Sequence, residues 1–473
     1  MSSEQLRREE ERIQVKLLKK NSNKFALLCE LGDLYEKEGR LLEAKDGYIR
    51  ALVHAGSEPE RRGCEEKIEQ LDRAMEHFTY SDADYAQSLN RVVSIYCYGR
   101  SGTHFFKSLL DGHPKIILTM LNGMKIFKLW DSLVQQRGEK VFREALEEVV
   151  TQIFDVFQEF FNEGEEYYET RLNGMCSMGD DRNEIFTIDK DRFQEKFTSI
   201  VNASESMNQK LFYQAVQLAA AYGIGYEYDF RTGIPIIAEG GIHFSMSVEA
   251  TEKFLQVFPY TILLHMVRQP VQAFASSLKY LIKSKQATID NLTANLIAIF
   301  ADIPMKEEWI DRTRIVKLEE LHLKPKEVLQ AFCDFMDIEW SETLLQSTFG
   351  GIKWWNTATS QVLSGFNTKT ISNSYDELLT SLDKFRIELL LRPKYKAWGY
   401  EIFEYSGYHG INIIYREPYK FEQFFGYDPI DKMMIRRITD KIIDKQLRHI
   451  VNTPEEEIID FKGRMLLADK REK

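Results

Sequence analysis

Residues 93–114 read VSIYCYGRSGTHFFKSLLDGHP, and this stretch decides the fold. An apolar run from Val92 to Tyr98 starts after Arg91 and stops at Gly99. Nearly unbroken hydrophobicity suits a strand covered on both faces, as in a parallel sheet. Gly99-Arg100-Ser101-Gly102-Thr103-His104 follows, and a helix is predicted from about Gly102. Gly112 near its C-terminal cap and Pro114 beyond it end that helix. A strand, a glycine turn and a helix N-terminus make an anion cradle, because backbone N–H groups and the helix dipole converge there. Ser101 and Thr103 add hydroxyl donors, and Arg100 adds a permanent cation. The pattern Gly-x-x-x-x-Gly-Lys-Ser/Thr does not occur here, which argues against an ATPase or nucleotide kinase and removes the usual magnesium-binding hydroxyl.

Working outward, further buried strands are predicted at Ile234 to Ala238, Tyr260 to Val267 and Thr313 to Leu318, with helical segments between them. This alternation predicts an α/β fold: a P-loop-type parallel sheet flanked by helices. Arg268 directly follows the third of these strands, at the carboxyl edge where open α/β sheets bind ligands. Gln269-Pro270 then opens a helix, and Ser276 falls about two turns into it.

Two motifs now carry a resemblance. Tyr98 to Phe105, followed by Leu109-Leu110-Asp111-Gly112-His113-Pro114, resembles the 5′-phosphosulfate loop of sulfotransferases. It is most similar to the arginine-bearing carbohydrate and tyrosylprotein type. Arg268-Gln269-Pro270 with Ser276 resembles the family's 3′-phosphate motif. Val316-Lys317-Leu318-Glu319-Glu320-Leu321 and the stretch ending Trp398-Gly399-Tyr400 are similar to later family segments. The resemblance spans roughly residues 90–402. It implies 3′-phosphoadenosine-5′-phosphosulfate (PAPS) as cofactor, no metal, and sulfonate transfer to a hydroxyl or amine. It further implies cofactor contacts from Arg100, Ser101, Gly102, Thr103, His104, Phe105, Arg268 and Ser276. His104 is a departure, since relatives usually carry a second threonine there.

Arg100 is the expected electrostatic catalyst, because a fixed cation beside the 5′-phosphate stabilises charge that grows in the transition state. The acceptor also needs a base. His243 titrates near neutrality, and Glu239 serves if its pKa is raised. Both follow the Ile234 to Ala238 strand. No carboxylate lies between Lys115 and Trp130, which separates the chain from close tyrosylprotein relatives. Phe105 stands where relatives pack an aromatic near the adenine, with core packing the other reading. Trp354, Trp355 and Phe366 lie in a stretch positioned to close over the cofactor.

Upstream, Leu28, Leu31, Gly32, Tyr35, Ala44, Tyr48 and Ala51 fall at tetratricopeptide-repeat spacing, with a following helix over 59–77. One repeat cannot bury its own face, so residues 1–78 are expected to dock on the catalytic domain, a protein partner or a second copy. Residues 403–473 read as an appendage of unknown role. It has a strand-like run at Ile411 to Tyr415, and a helix opened by Asp428-Pro429.

The 473 residues carry 62 basic and 73 acidic side chains, a net charge of −11. This balance gives no broad basic footprint for nucleic acid. The acidic run from Glu163 to Glu169 reads as a solvated face. Five scattered cysteines without a CxxC pair predict free thiols. No signal peptide or membrane span is predicted, so a cytoplasmic location is expected. The acceptor is not legible: saccharide, lipid, peptide and small alcohol all fit. A sulfotransferase-like scaffold without catalysis is the alternative function, motivated by His104 and Gly240-Gly241.

Overall fold

The computed structural model describes residues 3–19, 22–97, 99–138, 141–162, 174–239, 247–301, 303, 305–356, 362–402, 417–426, 428–452, 461 and 464–467. His243, Gly240-Gly241, Tyr98, the Glu163 to Glu169 run and the Ile411 to Tyr415 run lie outside these residues. Among the described residues no helix is long and apolar enough to cross a membrane.

The core is a five-stranded, wholly parallel sheet. Its strands are β1 (Val92–Cys97), β2 (Ile116–Ile117), β3 (Ile236–Glu239), β4 (Ile262–Val267) and β5 (Thr313–Lys317). Their spatial order is β2-β3-β1-β4-β5. β1 pairs with β3 through Val93↔Ala238 and with β4 through Ile95↔Leu264. Val92, Val93, Ile95 and Tyr96 are buried, as a strand covered by helices on both faces requires. The chain leaves β1 toward β2 and leaves β4 toward β5, so the connections diverge between β1 and β4. That divergence is a topological switch point, and it opens a crevice beyond the strands' carboxyl ends.

The predicted strands over 234–238, 260–267 and 313–318 correspond to β3, β4 and β5. Two short elements escaped the periodicity reading. β2 is only two residues long. A hairpin, β6 (Thr348–Phe349) with β7 (Ile352–Lys353), turns at Gly350 and Gly351. Both glycines have positive φ, 61° and 73°, the conformation that a tight hairpin turn needs.

Four N-terminal helices precede the sheet: α1 (Ser3–Leu17), α2 (Lys24–Lys37), α3 (Leu41–Val53) and α4 (Glu58–Met75). α2 and α3 form a close antiparallel pair. A Cβ on Gly47 would lie 3.0 Å from the Cα of Gly32, so backbone meets backbone there. Tyr48 packs its ring over Gly32, and Gly39 (φ 74°) ends the turn after α2. These helices are fastened to the sheet-bearing part of the chain through Asp337. Its buried carboxylate takes Lys24 Nζ at 2.6 Å, Arg50 Nη2 at 3.0 Å and His54 Nε2 at 2.7 Å. Burial pushes the Asp337 carboxyl up, but Lys24, Arg50 and Arg91 with the His54 hydrogen bond outweigh it and hold the carboxyl well below the usual range.

A short helix, α5 (Asp82–Ser88), carries a Ser81–Asp84 capping box and leads into β1. The C-terminal residues join the domain. The helix Pro429–Asn452 packs on the helices Ile289–Phe300 and Ser381–Leu390. Leu466 donates its N–H to Ile315 of β5 at 2.9 Å, and Phe461 is fully buried near His265.

Candidate functional site

The turn after β1 is built by three residues with positive φ: Gly99 (59°), Arg100 (54°) and Gly102 (83°). For arginine this region costs about 1–2 kcal/mol, a local strain that binding loops commonly hold. At Gly102 both the left-handed φ and the packing favour glycine. A Cβ there would lie 2.4 Å from Leu318 Cδ1, at the end of β5. Helix α6 (Thr103–Leu110) starts at once, and its ladder begins with Phe106 N–H to Gly102 O at 3.0 Å. The N–H groups of Thr103, His104 and Phe105 therefore have no carbonyl within the helix, which is the arrangement that takes an oxyanion. Ser101 and Thr103 are buried with their hydroxyls 3.4 Å apart.

Arg100 lays its guanidinium over the ring of Tyr280, 4.9 Å from the centroid. Tyr280 belongs to the helix Pro270–Lys283, which begins directly after β4. Ser276, 9% exposed, precedes Tyr280 by one turn on the same helix face. Loop and helix thus form the two walls of the crevice between β1 and β4.

Arg268, at the exit of β4, is 4% exposed. It donates from Nη2 to Thr370 O at 2.8 Å, and its buried Nε has no partner among the described residues. No carboxylate pairs with it among those residues. A guanidinium so buried is ordinarily neutralised by a carboxylate. The backbone beside it is braced from two directions. Glu319 accepts Gln269 N–H at 3.0 Å and Tyr400 O–H at 2.8 Å. The Gln269 side chain caps the helix through Gln272 N–H and donates to Tyr395 Oη at 2.6 Å. These contacts give the Lys317-Leu318-Glu319 and Trp398-Gly399-Tyr400 segments a physical role that their sequence position alone does not show.

His104 is pushed down to about 3, by burial first and then by Lys107 and Arg100. It stays neutral at physiological pH, and its buried Nδ1 has no partner among the described residues. Phe105, 5% exposed, is sandwiched: His322 stacks on it at 4.6 Å, and Phe366 meets it edge-on at 5.4 Å. Packing thus accounts for most of its surface. Of the downstream aromatics, Trp354 is buried against Phe349 and Trp355 donates to Gly179 O at 2.7 Å.

Glu239 ends β3 on the same edge of the sheet and is 2% exposed. Its Oε1 accepts Gly123 N–H at 2.9 Å and its Oε2 accepts Tyr213 O–H at 3.1 Å. Gly123 opens α7 (Gly123–Arg137), and a Cβ there would lie 2.9 Å from both Glu239 Oε2 and the Tyr213 ring, so a larger residue would have to displace one of them. Burial raises the Glu239 carboxyl to about 7, against the opposing pull of Gly123, Lys107 and Tyr213.

Two residues have roles that the sequence did not assign: Lys107, and Asp111, which was read only as part of the loop motif. Lys107 is a buried cation that acts on both His104 and Glu239. Its signal was a lone charge within the apolar run of α6. Asp111 takes Thr348 Oγ1 at 2.8 Å and the N–H groups of Gly350 and Gly351 at 3.1 and 3.0 Å. It thereby anchors the β6–β7 hairpin to the end of α6.

A model of the sulfotransferase family matches residues 93–342, just over half of the chain. No curated protein matches the chain. Among solved structures, one similar chain is the sulfotransferase domain from the Synechococcus PCC 7002 olefin synthase. It is 13% identical with a TM-score of 0.35, over 63% of this chain and 92% of that one. The sulfotransferase domain from the curacin biosynthetic pathway is 15% identical with a TM-score of 0.33, over 66% and 99%. Sulfotransferase STF9 from Mycobacterium avium is 13% identical with a TM-score of 0.28, over 67% and 84%.

Proposed function

The chain belongs to the sulfotransferase family, and we propose that it moves a sulfonate group from PAPS to a hydroxyl or amine acceptor. The observation that carries this reading is Arg268, a buried guanidinium with no carboxylate partner among the described residues, one strand away from the oxyanion cradle. Two anion sites side by side suit a nucleotide with phosphates at both its 3′ and 5′ positions. The residues fit it: the N–H groups opening α6, with Ser101, Thr103 and Arg100, would hold the 5′-phosphate end. Arg268 and Ser276 would hold the 3′-phosphate. The orphaned Nδ1 of His104 offers a further contact.

When bound, the cofactor supplies the sulfonate group. Arg100 contributes a cation that stays protonated at any working pH, so its part is electrostatic and not proton transfer. Glu239 takes the acceptor's proton, with a proton affinity near neutrality that suits a general base. His243 is the competing base, and the Glu239→Gln and His243→Ala variants separate the two. The N-terminal helices serve as a tetratricopeptide-like module, and the protein works in the cytoplasm.

Calorimetry with adenosine 3′,5′-bisphosphate against AMP tests the reading. The bisphosphate should bind at least about tenfold more tightly, a difference of roughly 1.4 kcal/mol. Arg268→Ala should erase that preference. Equal affinity for the two nucleotides in the unmodified protein would overturn the proposal.

A further inference from the structure

On the opposite edge of the sheet, where the chain enters β1 and β4, a cavity of about 280 Å³ separates the N-terminal module from the catalytic domain. Its wall is rich in cations. Lys24 and Arg50 come from the module, Arg91 from the start of β1, and Lys210 from the helix Gln209–Ile224.

The carboxylates that face them do not serve all four. Arg40, also in the wall, is held by Glu10, Glu38 and Glu43 at one end. Arg50 lies 3.7 Å from Asp46. At the other end Lys24, Arg50, His54 and Arg91 all share Asp337, with Arg91 4.0 Å away. Lys210 makes no ion pair within 4 Å among the described residues; the Phe258 ring lies 5.7 Å from its Nζ, and the Glu10 carboxylate in the same wall, which also holds Arg40, attracts it only from farther off. A buried donor in the same wall, Arg50 Nε, has no hydrogen-bond partner among those residues. Burial accordingly pulls Arg91 down to about 10 and lowers Lys210.

Positive charge in excess of the carboxylates around a partly buried space favours an anion. The volume sits at the small end of ligand pockets, too small for a polymer.

We propose that this cavity is a second anion site, taking a free phosphate or the phosphate group of a small metabolite between Lys210, Arg91 and Arg50, in a wall that Asn90 also lines. Because both the module and the domain line it, an occupant would fasten the two together.

Calorimetry on the full chain tests this with inorganic phosphate and, separately, adenosine 3′,5′-bisphosphate. Phosphate should bind at one site that survives Arg268→Ala and weakens at least tenfold in Lys210→Met. Bisphosphate binding in the crevice should be unchanged by Lys210→Met. If Lys210→Met fails to fold, Asn90→Asp puts a carboxylate in the same wall and should give the same loss. Three results overturn the proposal: no phosphate binding, binding that a folded Lys210→Met or Asn90→Asp leaves intact, or binding lost in Arg268→Ala. A failure of the sulfotransferase reading would instead show in the bisphosphate arm alone.

Discussion

Replacing Glu239 with glutamine removes a carboxyl group that the fold holds in an unfavourable place. Its pKa is about 7 in the folded chain against an ordinary 4.5. At 1.36 kcal/mol per pKa unit, ionising it in place costs roughly 3 kcal/mol. The sign follows from the folded state binding the proton more tightly. Stability is lost as pH rises from about 4.5 through about 7, and stays lowered above that. Glutamine is neutral throughout and can still accept from Gly123 or Tyr213. Urea unfolding of both proteins at about pH 5 and about pH 8 should therefore show the wild type losing most of those roughly 3 kcal/mol relative to Glu239→Gln. The same carboxyl should set a rising limb in kcat/KM centred near pH 7, because a base works in its ionised form. Glu239→Gln should flatten that limb and cost about 10²–10⁴ in rate. Identical pH dependence of stability in the two proteins would refute the raised pKa. An unchanged rate profile would refute the catalytic role.

Gly102→Ala should destabilise by about 2–4 kcal/mol, from the left-handed φ and the collision with Leu318. The double variant with Leu318→Ala should lose less than the two single losses summed, and additive losses would exclude the contact. Asp337→Ala strands Lys24, Arg50 and Arg91 and should cost about 3–5 kcal/mol in chemical denaturation. Since the Asp337 carboxyl titrates below its ordinary range, its contribution is present above about pH 4 and is lost as pH falls further. A wild-type stability curve flat down through acid pH would contradict this. Arg100→Ala should lower kcat about 10²–10³-fold. Unimpaired turnover would remove Arg100 from the mechanism.

The anion loop was legible because its determinants are contiguous. An apolar strand, two glycines and a helix start lie within residues 92–110, and each acts on its own backbone. The exit of β4 was legible for the same reason: Arg268, Pro270 and Ser276 are spaced along one strand-to-helix turn. The hairpin over 348–353 was also written locally, in Gly350-Gly351, but its strands of two residues are too short for a periodic signal. The repeat-like spacing around Gly32 is also local in the sequence, but which α3 residues meet it is not: a Cβ on Gly32 would lie 3.2 Å from Ala44 O, and one on Gly47 would lie 3.0 Å from the Gly32 Cα.

By itself, then, the sequence determined the strand-loop-helix chemistry of each half of the crevice, since backbone conformation, capping and dipoles are properties of neighbouring residues. Only the tertiary structure decided that β1 and β4 stand side by side and that Leu318 closes on Gly102. It also decided that Glu239 is buried, which raises its proton affinity against the hydrogen bonds from Gly123 and Tyr213, and that Asp337 gathers four basic side chains from distant segments. These are effects of burial and of Coulomb fields, which depend on distance in space and the local dielectric and not on separation along the chain.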